Sequence, residues 1–170
     1  MGVVSWNEAF ADRYEEWSAE MTADIAFYVA LARQANGPLV ELAVGNGRVA
    51  IPVAQATGQQ VIGIDSSPAM LQLARARTAA AGVQLDLRQG DMRDLALDEL
   101  AGLIYCPFRA LLHLPTWADR RRTFERVAHH SELLAPPSRM MSIRLSPTAY
   151  RLVCGTGSCW CSPSRRAAIR

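Results

Sequence analysis

Apolar positions recur along the chain in two alternating rhythms. Ile25, Tyr28, Leu31 and Ala32 keep the spacing of a helix face. Leu39-Val40 and Val61-Ile62-Gly63-Ile64 are short continuous apolar runs, the pattern of strands buried on both sides. Ser5 with Glu8 forms a capping-box pattern that predicts a first helix through about Trp17, and Thr22 is placed to cap a second, which Gly37-Pro38 ends. Strand one follows from Leu39 to Ala43. A glycine turn then leads to a helix from about Arg48 to Thr57, with Pro52 near its first turn and Gly58 at its end. Strand two closes on Asp65, and Ser67-Pro68 opens a helix to about Ala81, stopped by Gly82. Val83 to Arg88 reads as strand three, Gly90-Asp91-Met92 as a loop, and Leu103 to Cys106 as strand four before Pro107. Thr116 with Asp119 caps a last helix through about His129.

Strands and helices alternating in this order predict an α/β fold, a doubly wound, Rossmann-like, mostly parallel sheet with helices on both faces. Ligands of such sheets bind beyond the carboxyl ends of the strands. Glu41, Gly45, Asp65, Asp91 and the residues after Cys106 all fall at those ends, so the topology gathers them into one crevice although they are scattered in sequence.

The chemistry of that crevice turns on its acids. Asp65 lies 20 residues beyond Gly45, where a carboxylate can accept hydrogen bonds from both ribose hydroxyls of an adenosine cofactor. This spacing serves a nicotinamide cofactor or S-adenosylmethionine equally, and Gly45-x-Gly47-x-x-Ala50 resembles the dinucleotide fingerprint. Charge separates the two: a pyrophosphate at a turn flanked by Glu41 meets a like charge, whereas the methionine end of S-adenosylmethionine brings an ammonium and a sulfonium. Asp91 is placed to accept from the exocyclic amine of adenine, with a neighbouring backbone amide for a ring nitrogen. Met70, just after Ser67-Pro68, is either a helix core residue or a cover for the adenine face.

From about Phe10 to Ala128 the chain resembles a class I S-adenosylmethionine-dependent methyltransferase of the small-molecule type. Glu41-Leu42-Ala43-Val44-Gly45-Asn46-Gly47-Arg48 is similar to the family's first motif, Val61 to Met70 to its second, and Gly90-Asp91-Met92 to its adenine loop. Phe10 to Trp17 is similar to an N-terminal segment that folds over the cofactor in many members, which makes Tyr14 a candidate contact. The resemblance implies S-adenosyl-L-methionine as cofactor, a small-molecule methyl acceptor as partner, and a cofactor site of Tyr14, Glu41, Ala43, Gly45, Gly47, Asp65, Ser66, Met70, Asp91, Met92 and Cys106. It also brings His113 beside the methyl as the candidate catalytic residue, against the alternative of a histidine packed among leucines. Methyl transfer is an in-line displacement that rests mainly on alignment, and a base helps only where the acceptor has a proton to lose. Two positions depart from the family pattern: Ala43 stands where glycine is usual, and Gly102 where an acid is common before strand four.

The family fold has seven strands, and the sequence beyond Leu133 departs from it. Met140 to Leu145 reads as a possible fifth strand, and Thr148 to Arg170 has no clean period. The expectation is a domain over residues 1–138, with 1–37 as a helical lid, and an irregular basic tail over 139–170 in which the last strands are missing or replaced by truncation or a frame shift. A donor-binding protein without catalysis and a nicotinamide-dependent oxidoreductase are the alternatives to a working methyltransferase.

Composition narrows the remaining classes. At 170 residues and 50% apolar the chain suits a single domain with a substantial core. The start lacks the basic and apolar regions of a signal peptide and no apolar stretch reaches a membrane span, so a cytoplasmic protein without membrane contact is expected. Residues 1–138 carry 12 Arg against 16 acids, while 139–170 add six Arg and no acid, without the aromatic interleaving or motif of a nucleic-acid binder. Cys154, Cys159 and Cys161 fit no common zinc spacing, and no metal is expected. Cys106 reads as a buried thiol at a strand end. Arg109 either binds an acidic acceptor or faces water, and Arg120, Arg121, Arg122 and Arg126 read as the solvated face of their helix. Nothing in the sequence sets the oligomeric state.

Overall fold

The computed structural model describes residues 21–132. Tyr14, the helix expected after Ser5, the expected strand at 140–145 and the three tail cysteines lie outside the described residues.

Four strands, β1 (Leu39–Leu42), β2 (Val61–Asp65), β3 (Asp86–Gln89) and β4 (Leu103–Tyr105), form a sheet in the order β3-β2-β1-β4, every pair parallel. The chain steps outward from β1 through β2 to β3 and then crosses back to the other side of β1. The switch in direction therefore falls between β1 and β4, where such sheets open a crevice at their carboxyl ends. Glu41 pairs in register with Gly63 on one side and Tyr105 on the other.

The helices are α1 (Ile25–Ala32), α2 (Ala50–Thr57), α3 (Pro68–Ala81) and α4 (Trp117–His130), with short 3-10 turns at Met92–Asp94 and Ala110–His113. Their ends obey local chemistry. The Ser67 hydroxyl accepts from the Met70 amide ahead of Pro68, left-handed Gly58 and Gly82 close α2 and α3, and Thr116 and Asp119 form a reciprocal capping box on α4. Two expectations shift. β3 starts at Asp86 rather than Val83, because the Val83 amide is spent on the Thr78 carbonyl in closing α3. Residue Asp24, not Thr22, stands at the cap of α1 and makes no side-chain capping bond; its carboxylate goes elsewhere.

Alternate strand residues feed two cores. Leu39, Val61 and Tyr105 face Tyr28, Ala32, Val49, Val53 and Leu71 of α1 to α3, while Val40, Leu42, Ile62 and Ile64 face Leu95, Ala101 and Val127 of the α4 layer. Helices thus cover both faces, as the pattern predicts. Gly102 is fixed by packing. Its amide donates to the Pro38 carbonyl at 3.0 Å, and a Cβ there would sit 2.0 Å from the Asn36 carbonyl oxygen. No side chain fits, which accounts for the missing acid before β4. Gly102→Ala is expected to cost about 3 kcal/mol through overpacking against backbone. Urea unfolding checks this: the midpoint should fall with an unchanged slope.

Candidate functional site

The turn after β1 is built from left-handed backbone, with φ of +55° at Ala43, +55° at Gly45 and +79° at Gly47. Glycine adopts such angles freely, whereas Ala43 carries strain there. The Val44 amide ties the turn to the Ile64 carbonyl at 3.0 Å, and the Gly45 amide donates to Asp65 Oδ2 at 2.8 Å. The other Asp65 oxygen, Oδ1, accepts from the Ser67 amide at 2.8 Å. Asp65 is therefore the joint between the glycine turn and the start of α3. Burial pushes its carboxyl above the usual range against the pull of these amides and of His113. A carboxylate offers roughly four lone-pair directions, so each oxygen keeps acceptor capacity beyond its backbone donor.

Glu41 sits one strand over. It is 2% exposed on the β1 face shared with Leu39, between Gly63 and Tyr105. Burial, the largest cause, pushes its carboxyl up to about 8; the Tyr105 hydroxyl and the charge of Arg48 oppose the rise, and Asp24 and Asp65 add to it. The Tyr105 ring stacks on Tyr28 at 5.4 Å. Glu41 Oε2 and the Tyr105 hydroxyl are both buried without hydrogen-bond geometry to a partner among the described residues. The expected acid at the turn is present, but it is enclosed and holds its proton at pH 7.

A buried ion pair lies beside it. Arg48 Nη1 and Nη2 reach Asp24 Oδ1 and Oδ2 at 2.5 and 2.8 Å, and Nη1 also donates to the Met21 carbonyl. The guanidinium holds the Asp24 carboxyl below the usual carboxylate range. This fork joins the start of α1 to the glycine turn. Sequence reading missed it, since an acid and an arginine 24 residues apart leave no local pattern.

On the other flank, Asp91 caps the 3-10 turn by accepting from the Arg93 amide at 2.8 Å, and the Arg93 side chain grips both its oxygens. Arg93 Nη1 also reaches Asp119 of α4 at 2.9 Å. The α4 arginines are not simply a solvated face: Arg121 pairs along the helix with Glu125 and Arg126 lies 3.1 Å from His130, while Arg120, Arg122 and Arg126 donate to loop carbonyls.

The remaining candidates take these places. Ser66 is exposed between Asp65 and the α3 cap, and Met70 is buried in the first turn of α3. Met92 and Cys106 are half-buried against the Val40 and Ile62 cluster. His113 is exposed, yet close enough to Asp65 to favour its ionised form. Phe108 has φ +57°, a strained angle for a bulky residue, with Arg109 5.5 Å over its ring. Glu41, the glycine turn, Asp65, the Asp91 loop and the segment after β4 thus share the carboxyl edge of one sheet.

A family model described as a methyltransferase domain matches residues 39–132. The chain belongs to this methyltransferase domain family. Solved structures similar to this methyltransferase-family chain include the CcbJ methyltransferase from Streptomyces caelestis, 27% identical with a TM-score of 0.65 over 72% of this chain and 51% of that one. The glycopeptide N-methyltransferase MtfA, complexed with sinefungin, is 30% identical with a TM-score of 0.58 over 65% and 45%. CalS10, an amino pentose methyltransferase from Micromonospora echinaspora, is 28% identical with a TM-score of 0.56 over 77% and 53%. The chain spans about half the length of these structures. No curated protein sequence matches it significantly. Among the described residues no helix is long and apolar enough to cross a membrane.

The state of Glu41 has a measurable signature. Its carboxyl titrates near 8 in the fold and near 4.5 when unfolded, so its contribution to stability is complete below about pH 4.5 and is lost as pH rises to about 8. Glu41→Gln keeps the shape without the charge. Its stability should match wild type near pH 5 and exceed it at pH 9 by on the order of 3 kcal/mol, measured by denaturant unfolding across pH. Parallel curves would show that Glu41 is ionised in the fold.

Proposed function

We propose that this crevice binds S-adenosyl-L-methionine and that the chain transfers its methyl group to a small-molecule acceptor. The observation that carries the reading is Glu41 Oε2, a buried carboxyl oxygen at the foot of the glycine turn that makes no well-formed hydrogen bond among the described residues. An unsatisfied buried acid asks for a donor, and a cationic one suits it best. The ammonium of the donor's amino-acid end fits that demand, whereas a pyrophosphate brings Glu41 no donor and sets its charge beside Asp65. In this reading the backbone of Ala43, Gly45 and Gly47 admits the ligand closely, Asp65 accepts from the ribose hydroxyls beside Ser66, and Asp91 accepts from the adenine amine with the Met92 amide on a ring nitrogen. Met70 and Cys106 border the base and the sulfur, His113 flanks the acceptor, and Tyr14, outside the described residues, is the further contact that the family resemblance implies.

When bound, the donor supplies a methyl group already activated by its sulfonium, and these side chains have mainly to orient it and exclude water. A proton lost by an amine or hydroxyl acceptor passes to His113 or to solvent. The neighbours named as a glycopeptide N-methyltransferase and an amino pentose methyltransferase support a small-molecule acceptor here.

Calorimetric titration of the full chain with S-adenosylhomocysteine, beside NADH, tests the reading. Binding of the former and not the latter is expected. Because Glu41 is protonated at pH 7 and must ionise to receive an ammonium, close to one proton should be released per site, read from the enthalpy difference between phosphate and Tris buffers. Binding of NADH alone would overturn the assignment, and binding without proton release would remove Glu41 from the contact. Transfer of a labelled methyl to a metabolite extract separates catalysis from donor binding alone.

A further inference from the structure

The guanidinium of Arg120 spans two backbone carbonyls of the turn that carries His113. Its Nε donates to Leu111 at 3.2 Å and its Nη2 to Leu114 at 3.0 Å. The turn itself is held by two local bonds, Leu112 to the Arg109 carbonyl at 2.8 Å and a long one from Leu114 to the Leu111 carbonyl at 3.4 Å. A 3-10 turn leaves carbonyls at its end open, and a planar fork with fixed donors takes the Leu114 carbonyl while sharing the Leu111 carbonyl with the Leu114 amide. His113 lies between the two carbonyls so held, within electrostatic reach of Asp65.

The same helix grips the opposite loop. Asp119 takes Arg93, Arg122 donates to the Arg93 carbonyl and pairs with Asp94, and Arg126 donates to the Leu95 carbonyl. One rigid element therefore holds both loops beyond the strand ends, Asp91 to Leu95 after β3 and Ala110 to Leu114 after β4. We infer that Arg120 is a positioning residue, which sets His113 toward Asp65, and that α4 fixes the acceptor side of the crevice relative to the base side. The catalytic meaning of this placement rests on the donor-binding reading above; the placement itself does not.

Nuclear magnetic resonance on the full chain tests it, because only three histidines are present and two of them, His129 and His130, report on the end of α4. In ligand-free Arg120→Gln the Leu112 and Leu114 amides should exchange about tenfold faster than in wild type, with α4 amides unchanged. On adding S-adenosylhomocysteine, the wild-type His113 ring signals should shift. Arg120→Gln should keep the affinity within about threefold yet lose that shift, with His129 and His130 at their wild-type positions. Arg121→Gln, altering an exposed neighbour paired only along the helix, should behave as wild type. If the glutamine variant does not fold, Arg120→Lys serves, since one nitrogen cannot bridge both carbonyls and the same loosening should appear at about threefold.

Unchanged loop exchange in the Arg120 variants, or displacement of His129 and His130 together with His113, would overturn the inference. Failure of S-adenosylhomocysteine to bind wild type would instead defeat the donor reading, and the ligand-free exchange would still decide the role of Arg120.

Discussion

The Asp65 carboxylate holds the crevice in shape. It ends β2, yet its two oxygens take the Gly45 amide from the turn after β1 and the Ser67 amide from the cap of α3. Hydrogen bonds to a charged acceptor are worth about 1.5–3 kcal/mol each, enough to hold a turn that strains Ala43 at φ +55°. The acid expected to meet a sugar is first of all the pin that sets where backbone and ligand come together. In the proposed complex it keeps both bonds and adds the ribose.

Around that pin the acids differ in what neutralises them. Asp24 has a two-pronged arginine, Asp91 has Arg93, and Asp65 has backbone amides. Among the described residues Glu41 has a nearby tyrosine and the charge of Arg48 against its burial, which pushes its carboxyl up to about 8. Such a group is neutral toward the fold until a cation arrives, when attraction outweighs the cost of ionising a buried acid. In the proposed complex a cationic ligand end is favoured, because a neutral or anionic one gives Glu41 no reason to ionise.

Much of this was legible from local chemistry. Ser67-Pro68, Gly58, Gly82 and the Thr116–Asp119 box bound their helices where the sequence places them, and the strand-helix order predicted a parallel sheet with both faces covered. Features made by distant segments were not. The Asp24–Arg48 fork and the arginines of α4 act on groups up to 31 residues away, and a carbonyl acceptor carries no side-chain signature, so Arg120, Arg122 and Arg126 read as a wet face. Gly102 looked like a lost acid, although the Asn36 backbone leaves it no room. The position of Glu41 was readable; its burial and protonation depend on neighbours such as Tyr105, which reach it only in the folded sheet.

The protonation of Glu41 with and without ligand tests the account most directly. Carbonyl-13C-labelled glutamate lets each side-chain carboxyl be titrated by resonance, with Glu41→Gln to assign the signal. The account predicts one carboxyl titrating near 8 in the free protein and ionised throughout the neutral range with S-adenosylhomocysteine bound. A Glu41 signal that titrates in the ordinary carboxylate range, or one that the ligand leaves protonated, would contradict it.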